Sequence, residues 1–517
     1  MPVSKITSFA ISGIDAFFVE VEVDTRKGIP GYTTVGLPDK AVSESKNRVT
    51  SALKNSGFEI PPKKITVNLA PADVRKQGSA FDFPIALGIL ASLNIIPPAA
   101  LEGYSFAGEL SLDGSLRSVA GALPMSMALK KSRIKRIMLP LVNSREAALL
   151  PEVEVFPVKN LLEACDHFLE NKIISPLNNY QPKDDSSSYE PGIDFSEVKG
   201  QEFAKRAFEV AAAGGHNIIL KGPPGAGKTM LSKRMVGILP PLSLDEALEV
   251  TKINSVRSTR KRGTMISRVR PFRAPHHTIS DVALVGGGSF PKPGEVTLAH
   301  RGVLFLDEFP EFKRGVVEVM RQPLEDGYIR VARAQDRVTF PASFMLIAAM
   351  NPCPCGYKGS PGGECTCTPA KIAAYTSRIS GPILDRIDMH IEMPPVRVSD
   401  LRNLAKGEPS AQIRERVIAA RAIQEDRYDG LPGVYTNAHL TGRWIEKFCS
   451  PDAAGSLLLK RALDKYALSA RGYSKILKLS RSIADLAGVE NIRESDVAEA
   501  LQYRIPIENR TRIRKEL

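Results

Sequence analysis

A glycine-rich segment in the middle of the chain constrains its fold more than any other feature. Residues 216–229 read His-Asn-Ile-Ile-Leu-Lys-Gly-Pro-Pro-Gly-Ala-Gly-Lys-Thr, an apolar run followed by a turn and the start of a helix. The spacing G-x4-G-K-T predicts a strand, a loop and a helix that bind nucleotide phosphates, with Lys228 on the β- and γ-phosphates and Thr229 on Mg²⁺. The alternative is a glycine-rich turn that binds no nucleotide. The predicted nucleotide-binding residues are Gly222, Pro223, Pro224, Gly225, Ala226, Gly227, Lys228 and Thr229.

Two further apolar runs end in polar residues that suit the chemistry of such a nucleotide. Residues 302–306 precede Asp307 and Glu308, and residues 344–350 precede Asn351. Parallel strands end at one edge of a sheet, so we expect Asp307 to bind Mg²⁺ and Glu308 to polarise an attacking water. Asn351 would hold that water or the γ-phosphate. A buried strand that ends in a solvated acidic turn is the alternative for the first run.

Four short motifs narrow the class of nucleotide-binding protein. They are Arg-Pro-Phe-Arg-Ala-Pro-His-His-Thr at 270–278, Leu-Asp-Glu at 306–308, Asn-Pro-Cys-Pro-Cys at 351–355 and Leu-Asp-Arg-Ile-Asp at 384–388. In this order they resemble the magnesium-chelatase-like branch of the AAA+ ATPases. Within that branch, the chain from Ile6 to its C-terminus resembles the bacterial ComM/YifB family. The resemblance implies ATP and Mg²⁺ as cofactors.

The same resemblance implies roles for two arginines and for a segment near the adenine. Arg386 would be the finger that one subunit supplies to the γ-phosphate held by its neighbour, and Arg471 would contact a γ-phosphate from the lid. Val198 and Gly200 would lie near the adenine. A finger that acts on a neighbour requires an oligomer, and the resemblance makes it a homo-hexamer. The alternative for Arg386 is a structural salt bridge with an aspartate of the 384–388 motif.

Composition and residue patterns divide the chain into four segments, which together predict an α/β multidomain protein. Residues 1–175 are an α+β domain, and residues 176–193 are a linker rich in Pro, Asn, Asp and Ser. Residues 194–393 are the AAA+ P-loop α/β core, with a basic insert, a hairpin and a cysteine loop. Residues 394–517 are a helical lid, whose helices are predicted at 411–427, 451–467, 474–487 and 494–503.

The first domain resembles the Lon-protease fold through residues 76–82 and 107–114. An active site of that kind would have its serine nucleophile near Ala80 and its lysine base near Leu123. Both positions are apolar, and Ser79 lies one position away. Without a Ser/Lys dyad, the domain has neither the nucleophile nor the general base that this catalysis requires. We therefore expect a non-proteolytic module that binds DNA or neighbouring subunits.

Basic residues are concentrated in two segments of the predicted AAA+ core. The first segment holds Lys252, Arg257, Arg260, Lys261, Arg262, Arg268, Arg270 and Arg273. This cluster fits either a solvated basic face or an insert that contacts phosphates in the pore of a ring. In the second segment, residues 328–340 predict a hairpin with Arg333 and Arg337 near its tip. By resemblance to AAA+ helicases, such a hairpin would project into the channel.

Four cysteines form two Cys-x-Cys pairs in a glycine-rich loop. They are Cys353, Cys355, Cys365 and Cys367. Four thiolates that converge satisfy a tetrahedral structural Zn²⁺ site, although this spacing is not the common Cys-x2-Cys. Unligated thiols and redox pairs are the alternatives. Because the loop follows Asn351 directly, its shape could report the state of the nucleotide.

The overall composition bears on partners and location. The net charge of +13 and the pI near 9.3 favour a polyanionic partner. The sequence has no hydrophobic run of membrane-spanning length and no leader, which predicts a cytoplasmic protein without a membrane partner. Six cysteines, four of them in one loop, agree with a reducing cytosol.

These observations favour an ATP-driven hexameric motor that acts on single-stranded and branched DNA. The family resemblance implies branch migration of recombination intermediates during natural transformation. Three other functions fit parts of the sequence. They are an ATPase motor that drives Mg²⁺ insertion into a porphyrin, an ATP-dependent protease or chaperone regulator, and a nucleotide-gated DNA-binding scaffold.

Overall fold

The computed structural model describes residues 3–72, 75–177, 193–257, 266–288, 291–332, 337–359, 363–395, 407–466 and 468–504. The chain divides into two compact units. One comprises Met1–Asp185 with Ala247–Ile266, and the other comprises Ser186–Glu246 with Ser267–Leu517. Most of the linker predicted at 176–193 lies outside the described residues.

The first unit is built on a mixed sheet. Its strands are β1 (Ser4–Ser12), β2 (Asp15–Arg26), β3 (Gly31–Val35), β4 (Lys64–Ala70), β5 (Tyr104–Phe106), β6 (Glu109–Leu110), β7 (Leu116–Arg117), β8 (Arg136–Pro140) and β9 (Glu154–Val158). Seven of them form one sheet in the order β3-β4-β2-β1-β5-β8-β9, and β6 and β7 form a separate small hairpin. The pairings of β2 with β1 and β4 are antiparallel, and the other neighbours are parallel.

The helices of the first unit cover this sheet. They are α1 (Lys40–Asn55), α2 (Asp82–Ser92), α3 (Ala122–Lys130), α4 (Leu141–Ala147) and α5 (Leu161–Phe168), with a 3-10 turn at Pro98–Leu101. Every residue of α2 is buried. A Cβ atom at Gly88 of α2 would lie 2.6 Å from Cγ2 of Val23 on β2. Glycine therefore allows the helix to lie close against the strand. The predicted α+β character of this segment is confirmed.

The second unit is built on a parallel sheet. Its strands are β10 (Ile218–Lys221), β11 (Phe272–Arg273), β12 (Gly286–Gly287), β13 (Lys292–Pro293), β14 (Val303–Leu306), β15 (Tyr328–Ala332), β16 (Arg337–Pro341), β17 (Met345–Met350) and β18 (Met389–Glu392). Five of them form the sheet in the order β11-β14-β17-β10-β18, with all neighbours parallel. The pairs β12–β13 and β15–β16 are antiparallel hairpins.

The helices of the second unit fall into those of the core and those of the predicted lid. The core helices are α6 (Glu202–Gly214), α7 (Lys228–Ile238), α9 (Asp281–Val285), α10 (Glu295–Leu298), α11 (Arg314–Glu318), α12 (Arg321–Asp326), α13 (Pro369–Thr376) and α14 (Gly381–Leu384). Helix α8 (Leu244–Arg257) begins in this unit and belongs to the first unit from Ala247 onward. The lid helices are α15 (Ser410–Tyr428), α16 (Arg443–Phe448), α17 (Ala453–Tyr466), α18 (Ala470–Leu486) and α19 (Glu494–Gln502). Three 3-10 turns lie at Phe195–Glu197, Phe309–Glu311 and Asn437–His439.

A buried polar network joins the core of this unit to its lid helices. Nε2 of His216, just after α6, lies 2.7 Å from Oγ of Ser482 on α18. Nδ2 of Asn437 donates to Ser482 (2.9 Å) and to the Asp485 carboxylate (2.8 Å). Because these polar groups are buried and paired, they fix how the helices pack.

The segment Ala247–Ile266 belongs to the first unit, although the sequence placed it in the AAA+ core. Within the first unit, Lys252 on α8 forms an ion pair with Asp15. The carbonyl oxygen of Ser255 accepts a hydrogen bond from the N–H of Gly121 (3.1 Å). These contacts are far apart in sequence, so local patterns do not reveal them.

Candidate functional site

Three adjacent parallel strands bring the predicted nucleotide site to one edge of the sheet. β17 lies between β10 and β14. The glycine-rich loop follows β10, Asp307 follows β14, and Asn351 follows β17. Because the three strands run in the same direction, their carboxyl ends place these groups side by side.

The ammonium group of Lys228 lies inside the glycine-rich loop. Nζ donates to the carbonyl oxygens of Gly222 (2.6 Å) and Pro223 (2.9 Å) and to Oδ1 of Asn351 (3.1 Å). Burial lowers the pKa of Lys228, and the Asp307 carboxylate acts in the opposite direction. The loop thus holds a cation next to Asn351, at the place where the sequence predicts the phosphates of a nucleotide.

The residues predicted to bind Mg²⁺ are in direct contact. The Thr229 hydroxyl donates to Oδ2 of Asp307 (2.7 Å), whose Oδ1 accepts from the backbone N–H of Glu308 (2.9 Å). A hydroxyl and a carboxylate are the hard oxygen ligands that Mg²⁺ prefers beside nucleotide phosphates. The donor set therefore fits this ion.

The backbone of the loop has the shape that a phosphate cradle needs. Gly225 and Gly227 adopt φ values of 77° and 91°, which side chains disfavour. A Cβ atom on Gly222 would lie 2.6 Å from the carbonyl oxygen of Met393. The loop residues Pro223, Pro224 and Ala226 complete the turn between β10 and α7. The chain in this region therefore fits a bound nucleotide.

Glu308 is held by a histidine to which sequence reasoning gave no role. Nδ1 of His277 lies 3.2 Å from Oε2 of Glu308. The His277 ring is 4.1 Å from the ring of His276 and lies edge-on to Phe312 at 6.4 Å between centroids. Glu308 itself adopts a left-handed φ of 52°. The signal was present in the motif at 270–278, where two histidines follow soon after β11.

The segment predicted to lie near the adenine contacts the glycine-rich loop through a glutamine. Val198 is 3% exposed and packs in the core, and Gly200 adopts a φ of 67°. The following Gln201 donates through Nε2 to the carbonyl oxygens of Ala226 (3.2 Å) and Pro394 (2.7 Å). The segment is thus tied to the loop, while adenine binding by Val198 and Gly200 stays a prediction.

The two predicted arginines converge on one carboxylate. Nη2 of Arg386 donates to Oε2 of Glu325 (2.6 Å), and Nη2 of Arg471 donates to Oε1 (3.3 Å). The sequence gave no role to Glu325, which is distant from both arginines along the chain. The aspartates of the 384–388 motif have other partners: Asp388 pairs with Lys475 (2.8 Å) and Asp385 lies 4.0 Å from Arg504.

The four cysteines of the loop converge. Their ligand atoms all lie within 4.8 Å of one another. The Sγ atom of Cys353 is 3.4 Å from that of Cys355 and 3.6 Å from that of Cys365. In a tetrahedral Zn²⁺ site with bonds of about 2.3 Å, sulfur atoms lie about 3.8 Å apart. The cluster, which includes Cys367, therefore fits a tetrahedral metal ion such as Zn²⁺.

The cysteine loop also packs on the nucleotide loop. A Cβ atom on Gly356 would lie 2.7 Å from Cδ of Pro224. The backbone N–H of Lys358 donates to Sγ of Cys353 (3.4 Å). The cysteine cluster therefore lies close to the P-loop as well as following Asn351 in sequence.

Several residues of the basic cluster form ion pairs within the second unit. Arg270 contacts Glu246 (2.9 Å), and Arg273 contacts Glu295 (2.6 Å). These pairs agree with a structural role for the two arginines. Other basic residues that were predicted to contact phosphates lie outside the described residues. These are Arg260, Lys261, Arg262, Arg333 and the side chain of Arg337.

In the region of the first unit that resembles Lon proteases, two carboxylates near Ser79 have hydrogen-bond partners. The Ser79 hydroxyl donates to Glu109. Nearby in sequence, Asp82 is buried and binds Nε of Arg48 (2.7 Å). Burial raises the pKa of Asp82 to about 6 despite that arginine. At the positions matching a Lon dyad, Ala80 is apolar and Leu123 is fully buried.

Models of three protein families match most of the chain. "Magnesium chelatase, subunit ChlI" matches residues 194–401, "Subunit ChlI of Mg-chelatase" matches residues 21–143, and "Magnesium chelatase, subunit ChlI C-terminal" matches residues 407–504. In the part of the chain that the structure describes, no helix has the length and apolar character needed to span a membrane.

Similar proteins cover the chain from end to end. Competence protein ComM of Haemophilus influenzae is 43% identical over 507 residues, covering 98% of both chains. An uncharacterized protein YifB of Escherichia coli is 42% identical over 98% of this chain and 97% of its own. Lon protease 2 of Bacillus subtilis is 26% identical over 28% of this chain and 27% of its own. Full-length similarity, the family matches and the P-loop sheet together show that this chain belongs to the ComM/YifB family of magnesium-chelatase-like AAA+ proteins, which implies ATPase activity.

Proposed function

We propose that this protein is a ring-forming motor that hydrolyses ATP and moves along DNA. The observation that carries the proposal is the convergence of Lys228, Thr229, Asp307 and Asn351 at one sheet edge, with Glu308 beside Asp307. This set supplies the parts that phosphoryl transfer to water requires.

Each residue of the set has a distinct part in the proposed reaction. Lys228 and the loop bind the phosphates, and Thr229 and Asp307 hold Mg²⁺, which neutralises charge on the transferred phosphoryl group when it is bound. Glu308 orients and activates the attacking water, and His277 fixes the Glu308 carboxylate. Asn351 responds to the γ-phosphate through its contact with Lys228.

The proposed assembly is a homo-hexamer in which Arg386 and Arg471 act on the nucleotide of a neighbouring subunit. Their shared contact with Glu325 supports a common role for the two guanidinium groups. We propose that the protein works in the cytoplasm and that its partner is single-stranded and branched DNA. The net charge of +13 favours such a partner. The similarity to a protein named for competence supports a part in DNA uptake and recombination.

Branch migration of recombination intermediates is the specific activity that we propose. The test is strand exchange on labelled three- and four-stranded junctions with ATP. The proposal expects ATP-dependent products from the natural chain and none from Lys228→Ala. Absence of any ATP-dependent product from the natural chain would contradict branch migration.

A motor that drives Mg²⁺ insertion into a porphyrin is the second candidate, because three magnesium-chelatase family models match the chain. This function predicts ATP hydrolysis that DNA does not change. The full-length similarity to ComM, including the first unit, favours the DNA motor instead. For that unit we propose a non-proteolytic role in binding DNA or neighbouring subunits.

A further inference from the structure

Among the described residues, the contact of Arg386 and Arg471 with Glu325 leaves one buried guanidinium donor without an acceptor. The two carboxylate oxygens of Glu325 each accept from one Nη2 atom. Nη1 of Arg386 donates to the carbonyl oxygen of Pro382 (2.7 Å). Nε of Arg386 is buried and has no hydrogen-bond partner among the described residues. A buried donor of a charged group without an acceptor is costly.

In the proposed ring, Arg386 and Arg471 face the terminal phosphate of a nucleotide held by a second copy of this chain. We propose that Glu325 binds these two arginines until that phosphate displaces it. The inference rests on the proposed ring and deepens it by naming a competitor within the chain. Glu325 is then a positioning residue, because it touches the arginines and not the reacting atoms.

The charge of a phosphate favours it over the carboxylate at this site. Nε of Arg386 has no hydrogen-bond partner among the described residues while Glu325 accepts from Nη2 of both arginines. A terminal phosphate has three oxygens and a larger negative charge, and guanidinium groups bind it through paired N–H donors. A phosphate in place of the carboxylate can therefore satisfy the donor that Glu325 leaves unpaired.

The exposure of the three side chains permits such an exchange. The Glu325 and Arg471 side chains are 48% and 57% exposed, so both can be reached by another molecule. The Arg386 side chain is 13% exposed and is held by Pro382, which fixes its orientation. A buried, oriented arginine beside an exposed one and an exposed carboxylate is suited to accept an external anion.

The test measures self-association of the full chain by sedimentation, without DNA. The parent is Glu308→Gln, so that ATP is bound without being consumed, and ATP is compared with ADP. Adding Glu325→Gln to this parent should lower the chain concentration at which half of the subunits are assembled. With ATP the decrease should be at least threefold, and with ADP the concentration should not change. Glu318→Gln is the matched control, since Glu318 pairs with Arg321 at the other end of α12, and it should change neither value. Arg386→Ala should abolish the ATP-dependent gain.

Four results would overturn the inference. They are weaker or unchanged association of the Glu325→Gln protein with ATP, equal strengthening with ADP, an ATP-dependent gain that survives Arg386→Ala, and no association of the parent with ATP. The last result also rejects the ring. Because the assay contains no DNA, it leaves the choice of DNA as the substrate to the junction assay.

Discussion

The Glu308 carboxylate is fixed by a neighbour from another strand end. His277 Nδ1 approaches it at 3.2 Å, and the His277 ring lies edge-on to Phe312. A base that activates water must be held within hydrogen-bond reach of that water, and small displacements are costly in rate. His277 is therefore a positioning residue for ATP hydrolysis.

His277→Ala should lower kcat for ATP by about tenfold or more, because Glu308 loses its contact while the phosphate-binding groups stay in place. KM for ATP should change little. His277→Gln, which keeps a hydrogen-bonding side chain, should restore part of kcat. Steady-state hydrolysis as a function of ATP concentration separates the two parameters.

The matched control is His276→Ala, because the exposed His276 ring neighbours His277 and contacts Thr278 instead of Glu308. That variant should hydrolyse ATP like the natural chain. A normal kcat for His277→Ala, or a loss that appears only in KM, would contradict a positioning role for His277.

Local sequence was sufficient to predict which side chains surround the P-loop. Lys228 and Thr229 belong to one motif, and Asp307 and Asn351 end buried strands, so their meeting follows from parallel-strand geometry. The contacts of His277 and Glu325 were not predicted. Each depends on packing between segments that are separate in sequence, and a polar residue alone does not identify its partner.

The junction between α6 and the lid helix α18 depends on an uncharged histidine. Burial lowers the pKa of His216. The positive charges of Lys478 and Arg421 lower this pKa further, and the Asp388 carboxylate raises it. An unfolded chain takes up this proton near pH 6.5, whereas the folded chain resists it. The stability that the neutral ring contributes is therefore present above about pH 6.5 and is lost as the pH falls below it.

The free energy of unfolding should consequently decrease as the pH falls from 7 to 5. His216→Gln should show a smaller decrease, since glutamine does not titrate there. Urea unfolding of the full chain at both pH values measures the difference. His276→Gln, at an exposed ring, is the control and should behave like the natural chain. An equal decrease in the natural and His216→Gln proteins would reject this origin of acid sensitivity.

The cysteine loop should bind about one zinc ion per chain, because four sulfur atoms converge at distances close to those of a tetrahedral site. Metal analysis of folded protein tests this expectation. Cys365→Ser should lower the zinc content, while Cys165→Ser, at a buried cysteine of the first unit, should leave it unchanged. Less than half an equivalent of zinc in the natural protein would contradict the metal site.

Regular helices were predictable from the sequence, and the allocation of segments to units was not. The lid helices predicted at 411–427 and 494–503 lie at Ser410–Tyr428 and Glu494–Gln502, because apolar residues repeat at helical spacing. The continuation of α8 into the first unit depends on distant contacts such as Lys252 with Asp15. The density of basic residues in that segment predicted contact with a polyanion. In the structure, however, Lys252 pairs with Asp15.

The whole protein combines an AAA+ core and helical lid with a first unit that is similar in part to a Lon protease. The positions at which the resemblance would place a Lon dyad carry Ala80 and the buried Leu123. We therefore propose that the first unit binds without cleaving. We propose that ATP hydrolysis at the P-loop supplies the work of a motor, and the basic composition of the chain favours DNA as its partner.

ATP hydrolysis by the proposed motor should be coupled to DNA. The most direct test is steady-state ATP hydrolysis with and without single-stranded and branched DNA, with Lys228→Ala as the blank. DNA should stimulate hydrolysis several-fold, and high salt should abolish the stimulation, because the binding of phosphates by basic residues releases counterions. Hydrolysis by the natural chain that is robust and unchanged by either DNA would contradict it and favour the chelatase-like motor.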